Sequence, residues 1–263
     1  MSGNSEFTLV SEAGWHRGLN NLLDNEFAGW WRTRMWWVQC LIWTSVSGFM
    51  LAGVIFSSKT LDLGEVLLLY SIFAGLFPAV GVVIIMQGAL IGEKTSGTTA
   101  WILSKPVARP AVILSKVVAN SLGVLVTMVL VPGLFVYLLL SVATKSAMNP
   151  TPFLSAWGVF FLSHLFYLTL TLMLGAFFNN RGPVIGLALG ILFLQQYLVS
   201  LLPALRYLLP WTLVVPVSNQ IAAIVPNLLS GQPVASYLPL FGVAVESVVF
   251  VLLALWKFNK DEF

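Results

Sequence analysis

The chain has 263 residues, 58% of them hydrophobic and only 9% charged, with a mean hydropathy of +0.91 and a net charge of +3. Soluble domains carry about 25% charged residues, so a water-soluble globule is excluded and an all-α polytopic membrane protein is expected. The lone cysteine, Cys40, excludes an intramolecular disulfide and a cysteine-based metal cluster.

Residues 1–35 hold no uninterrupted apolar stretch of the kind a secretory signal needs, so insertion is expected to rely on the first span. Within 13–34, Trp15, Leu19, Leu22, Leu23, Phe27, Trp30 and Trp31 recur at spacings of three and four, with Arg17, Asn20, Asn21, Asp24 and Asn25 opposite. That pattern predicts an amphipathic helix lying in the membrane interface. Six apolar runs follow, at about 36–56, 66–91, 117–142, 153–178, 184–202 and 238–256. Each is near or above the roughly 20 residues that cross a bilayer. No internal repeat or linker divides residues 36–263, which read as one membrane domain after a tail and interfacial helix at 1–35.

Basic residues set the orientation. With the N-terminus in the cytoplasm, ten fall inside (Arg17, Arg32, Arg34, Lys94, Lys105, Arg109, Lys116, Arg181, Lys257 and Lys260) and three outside (Lys59, Lys145 and Arg206). Both termini are therefore expected in the cytoplasm, and the location is a cell inner or plasma membrane. Residues 203–233 are apolar but broken by Pro203, Pro210, Pro216, Pro226 and Pro233, and interrupted by Ser218, Asn219 and Gln220. A seventh span there would move Lys257 and Lys260 outside, so a pair of re-entrant half-helices is expected, with Ser218 a candidate cap. Broken backbone at membrane depth must be buried in protein or face a water-filled cavity, which points to a subunit interface or an exit path.

Between the second and third runs, residues 92–116 hold five of the 23 charged residues, four of them basic. This is a cytoplasmic loop by composition. Gly92 and Gly97 have the spacing of a phosphate-binding G-x-x-x-x-G-K-[ST] loop, but Thr98 stands where the lysine must be, and a span precedes it where a strand is required. It does not bind ATP. Gly97 instead ends the preceding helix, Ser96 or Thr98 can cap a new one over 99–104, and Pro106 forces Lys105 out of helical geometry. Trp101, Ile102 and Leu103 then project as apolar knobs that suit docking into a soluble partner, or equally anchor the loop among headgroups.

Glu93, Ser96-Gly97-Thr98, Ile102-Leu103, Pro106, Arg109 and Lys116 resemble the first cytoplasmic loop of type-2 ABC transporter permeases. Ala108 departs from the serine common there. The likeness extends to the interfacial helix, the six spans, the broken segment before the last span, and the terminal Trp256-Lys257-Phe258 and Asp261-Glu262-Phe263. What it implies is a permease that pairs with a second copy and docks two separate ABC ATPase subunits, in which ATP and magnesium reside; no cofactor binds this chain directly. It makes 99–104 a coupling helix, with Glu93, Gly97, Thr98, Trp101, Ile102, Leu103, Pro106 and Arg109 the coupling residues.

Inside the spans, Glu246, His164, Gln195 and Gln196 lie at comparable depth. An intramembrane carboxylate is by default functional, and His164 or Gln195 is its expected partner; the alternative is a structural interhelical hydrogen bond. Gly186 and Gly190 permit close helix approach, at a dimer seam or within one subunit. Neither H-E-x-x-H nor G-x-S-x-G occurs. Ser163 and His164, adjacent on one helix, point about 100° apart and cannot act as nucleophile and base. The expected function is the membrane subunit of an ATP-driven exporter, with amphipathic peptide, lipid or hydrophobic drug as cargo and no nucleic-acid partner. The alternative is a secondary transporter, for which one mid-membrane carboxylate is too few, or a non-transporting anchor.

Overall fold

The computed structural model describes residues 14–57, 62–216 and 223–261. Lys59, Ser218, Asn219, Gln220, Glu262 and Phe263 lie outside them. Among the described residues there are helices and turns and no strand, and six helical stretches are long and apolar enough to cross a bilayer.

Helix α1 (Leu19–Trp31) precedes the first span, α2 (Met35–Ser57). The second is α3 (Leu63–Met86), whose start is capped by Asp62 accepting from the backbone N–H groups of Gly64 and Glu65. Two short helices, α4 (Ile91–Thr95) and α5 (Thr98–Leu103), form a corner before the third span. That span is α6 (Arg109–Val124), a π-helical turn (Leu125–Leu130) and α7 (Val131–Ala143). The π turn has a local cause: Pro132 has no N–H to donate and its ring crowds the preceding turn, so the chain widens there. The fourth and fifth spans are α8 (Pro150–Phe177) and α9 (Arg181–Leu201). A 3₁₀ turn (Pro203–Tyr207), α10 (Trp211–Val214) and α11 (Ile224–Ser230) follow, and α12 (Leu238–Lys260) is the sixth span.

The order of crossings puts α1, α4, α5 and the C-terminal end of α12 at one end of the bundle and α10 and α11 at the other. Helix α8 is central: 78% of its apolar window is buried, against 22% for α2 and α12, so it is walled by protein while they face outward. It is held to α3 by Trp157, whose indole N–H donates to Tyr70 Oη at 3.1 Å. The outward faces carry exposed apolar side chains such as Phe49, Phe56, Leu201 and Phe241, as hydrocarbon contact requires. At the α5 end, exposed Trp15, Trp31, Trp36, Trp37, Trp101 and Trp256 form the aromatic belt expected where a bundle meets headgroups.

Two boundaries differ from the sequence expectation. The third span begins at Arg109, not near 117, so Lys116 lies two turns inside a helix and is buried. The helix before the first span is shorter than 13–34, because Gly18 turns left-handed at its start. Its Trp30 does not face the interface. The ring is buried against Gly123 of α6 and donates to Asn120 Oδ1 at 3.0 Å. The broken segment is packed on α3 and α8, with Leu213, Val214 and Val225 almost fully enclosed and Ser71 donating to the carbonyl of Val214 at 2.6 Å.

Candidate functional site

The corner between α4 and α5 turns on Gly97, at φ 72°. A side chain there would be strained, and glycine is not. Gly97 follows Ser96, the C-cap of α4, and is itself the N-cap of α5, so neither Ser96 nor Thr98 caps the helix through its side chain, contrary to expectation. Their hydroxyls bond to each other at 2.7 Å. Helix α5 spans 98–103, one residue earlier than anticipated, and it ends ahead of the exposed Pro106.

Of the three apolar residues expected to project, Trp101 alone does, at 62% exposure. Lys105 lies over its ring, Nζ 3.4 Å from the centroid, so the knob carries a positive charge. Ile102 and Leu103 are half-buried against the core and fix the helix from beneath. A cleft of about 510 Å³ opens between α1 and α5, lined by Arg17, Asn21, Asn25, Glu93, Trp101 and Lys105 among others. Thr98 is on its rim with Pro106. The backbone closes the cleft's far side, where Ala108 N–H donates to the carbonyl of Arg17 at 3.0 Å.

Below the cleft is a charged hub that the sequence did not reveal. Lys116 Nζ donates to Glu93 Oε1 at 2.6 Å and to Glu26 Oε1 at 2.7 Å, and the lysine side chain is 4% exposed. One cation thus ties α1, α4 and α6 together. Glu26 was the missed member. The usable signal was that a lysine inside an apolar helix needs a carboxylate, and the chain has only ten to offer.

A second cluster anchors the same region to the end of the last span. Arg109 Nη1 donates to the carbonyls of Asn259 at 2.7 Å and Asp261 at 2.9 Å, with a longer contact to Phe258. Lys94 donates to the carbonyl of Ala176 at 2.8 Å and pairs with Asp261, which Lys257 also holds from one turn earlier in α12. Arg109 therefore faces α12 and not the α5 surface. Burial raises the Asp261 carboxyl, but the hydrogen bond from Lys257 and the neighbouring Lys94 outweigh it and hold it below its ordinary value.

The mid-span polar residues do not meet as expected. Glu246 has neither His164 nor Gln195 as partner: it lines a groove between α12 and the 3₁₀ turn. His164 is fully buried in α8 with neither ring nitrogen hydrogen-bonded. Gln195 instead joins three helices, its Oε1 accepting from Tyr167 Oη at 3.0 Å and from the backbone N–H of Trp211 at 3.1 Å. Depth alone suggested the first pairing, but helix rotation decides such contacts. At Gly186 and Gly190 nothing in this chain comes within contact distance of an added Cβ, so they serve no close packing within the subunit.

Six apolar spans, five of them around the central α8, with a short helix braced on charged residues at one end, define a multi-pass helical membrane protein. Residues 20–263 match the model of a family described as ABC-2 family transporter protein. The chain belongs to that family and is a transmembrane permease of the ABC transporter class, a class that works with an ABC ATPase. Comparison with curated proteins returns no match.

Proposed function

We propose that this chain is the permease of an ATP-driven exporter, and that α5 is the coupling helix on which a separate ATPase subunit pushes. The observation that carries the reading is Trp101, a large exposed side chain on a helix whose base is anchored by half-buried Ile102 and Leu103 and by the Glu93–Lys116 pair. Loose loops absorb force, whereas a braced helix delivers it. In this reading the α5 end is cytoplasmic, both termini lie on that side, and ATP and magnesium stay in the partner.

A second permease copy completes the path. Gly186, Gly190, Leu194, Tyr197 and Leu201 follow one stripe of α9 at spacings of three to four, and the three large residues are exposed. The stripe is apolar and permits close approach, as a seam between two copies requires. Two copies would take two ATPase subunits, and cargo would pass between them toward the α10–α11 end.

The test is co-expression and co-purification with an ABC ATPase subunit, followed by Trp101→Ala and Glu93→Ala. Trp101→Ala is expected to weaken the complex by tenfold or more, since a buried interface tryptophan is worth about 2 kcal/mol or more. Glu93→Ala is expected to leave assembly but lower the transport obtained per ATP. An intact complex with unchanged coupling in both variants overturns the assignment.

A further inference from the structure

Contacts at a constant sequence offset place two stretches of chain side by side. Glu26 bonds Lys116 and Trp30 bonds Asn120, each pair 90 residues apart. Gly18 on Val107 and Gly48 on Phe135 keep that offset to within three residues, each so close that an added Cβ would crowd the partner side chain. Helices α1 and α2 thus run parallel to α6, the π turn and α7 over most of their length. In this register the bend between α1 and α2, at 32–34, sits beside the start of the π turn, Leu125–Leu130.

The second span is interrupted in the same place. Trp43 of α2 lies against Gly81 of α3, which runs the other way. Nine residues from that contact toward the α5 end stand Arg34 on one helix and Leu90 on the other, and 87–90 is the turn that separates α3 from α4. There the Ala89 N–H donates only three residues back, to the Met86 carbonyl at 3.1 Å. At the π turn the Val131 N–H reaches five residues back, to Val126, and the Gly123 carbonyl takes the Thr127 hydroxyl at 2.8 Å. A bend, a tight turn and a wide turn therefore lie next to one another, each with departures from regular helical bonding.

On the α5 side of these breaks, the Lys116 hub ties α1, α4 and α6 into one block. On the other side the ties are separate: Trp43 on Gly81, Phe135 on Gly48, and Trp157 against Gly133 while it donates to Tyr70. Helices α8 and α12 carry no break, and their C-terminal ends meet the block through main-chain carbonyls, that of Ala176 on Lys94 and those of Asn259 and Asp261 on Arg109. We infer that the three interruptions form one joint, across which the block carrying α5 moves as a unit while the ends of α8 and α12 hold its base. Short 3₁₀ and π stretches within helices mark hinges because their hydrogen bonds are poorer than the α-helix's, and hinges are few-residue segments that absorb backbone rotation. A push on α5 then reaches α2, α3 and α7 together. That role rests on the exporter reading above, but the joint itself is tested on the permease alone, so the two fail separately.

The first measurement is hydrogen exchange of the permease in nanodiscs, read by mass spectrometry. Amides of 87–90 and 125–131 are expected to exchange about tenfold or more faster than those of 112–120 in the block and 168–175 in α8. Residues 168–175 are the control for water access, since Gly175 lies beside Leu90. The second uses Gly88→Ala with Pro132→Ala. The alanine at 88 finds only an ordinary contact, 3.6 Å from the Arg181 guanidinium, and both changes favour continuous helix. In the double variant exchange at both breaks should slow to that of the flanks, with the unfolding midpoint unchanged or raised. In complex with an ABC ATPase subunit, it should keep its partner but lose about fivefold or more of the transport obtained per ATP. Break amides as protected as their flanks in wild type overturn the proposal by making the turns fixed kinks. So does a double variant that slows exchange yet couples as wild type does. A wild-type complex that hydrolyses ATP without transport overturns the exporter reading instead, and the exchange comparison still decides the joint.

Discussion

Replacing Lys116 with methionine tests whether the charged hub braces α5. The lysine side chain is 4% exposed and touches two carboxylates, at 2.6 and 2.7 Å, whose side chains keep 24% and 22% exposure. Removing one partner of a buried ion pair costs about 3–5 kcal/mol, because the charge left behind is neither solvated nor paired. Here two carboxylates are left facing each other, but both side chains keep about a quarter of their surface exposed, although Glu93 Oε2 itself is buried. The expected loss is therefore at the lower end, about 3 kcal/mol. Glu93→Gln keeps an acceptor oxygen and leaves the Glu26 pair, so it should cost less, about 1–2 kcal/mol. Adding Glu26→Gln and Glu93→Gln to Lys116→Met removes the stranded charges and should recover at least half of the loss. The assay is reversible unfolding in mixed micelles, followed by tryptophan fluorescence, for which Trp30 beside Asn120 is a local reporter. If Lys116→Met lies within about 0.5 kcal/mol of wild type, the pairs behave as solvent-exposed ones do, and the bracing argument is wrong.

Arg109→Ala should accelerate amide exchange over residues 257–261, whose terminal carbonyls lose their donor, while α5 stays protected; an unchanged C-terminal end of α12 would show that Lys94 and Lys257 suffice to hold it. Gln195→Leu leaves a buried tyrosine hydroxyl and a backbone N–H without an acceptor and should cost about 1–3 kcal/mol in the same unfolding assay. A cost below about 0.6 kcal/mol, the mean for interhelical hydrogen bonds in a membrane, would mean that both groups find another acceptor. For Asp261 the sign follows from a carboxyl held below its usual 3.8. Such a group contributes stability above its unfolded value and loses that contribution as pH falls through the folded one. The stability difference between wild type and Asp261→Asn should thus be flat from about pH 8 to about pH 5 and close only below 3.8.

The six spans were legible because a helix in hydrocarbon must be apolar over about 20 residues whatever it packs against. Local chemistry likewise announced the α4–α5 corner, where Gly97 can turn and Pro106 cannot continue a helix. What local pattern does not encode is rotation about a helix axis. Glu246, His164 and Gln195 share a depth, yet they lie beside a groove, within the core at α8 and at the α8–α9–α10 junction respectively. Trp30 fits an interfacial stripe by its spacing and is nonetheless buried, because Gly123 and Asn120 on a helix some 90 residues later form its seat.

The hub was hidden for a related reason. Glu26 lies in a stretch read as interface and Lys116 at a boundary placed one residue too late to include it. Ion pairs at sequence separations of 90 and 23 carry no periodic signal. Such pairs do carry a constraint: a low-dielectric setting tolerates a lysine only with its counterions. In a chain with ten acidic residues that constraint is strong. Asp62 and Glu65 start α3 at the opposite end, and Glu246 lies toward that end too, so these three were out of reach of Lys116. Span order plus charge scarcity, applied together, would have excluded the carboxylates of the opposite end and pointed to those of α1, α4 and the C-terminal end of α12.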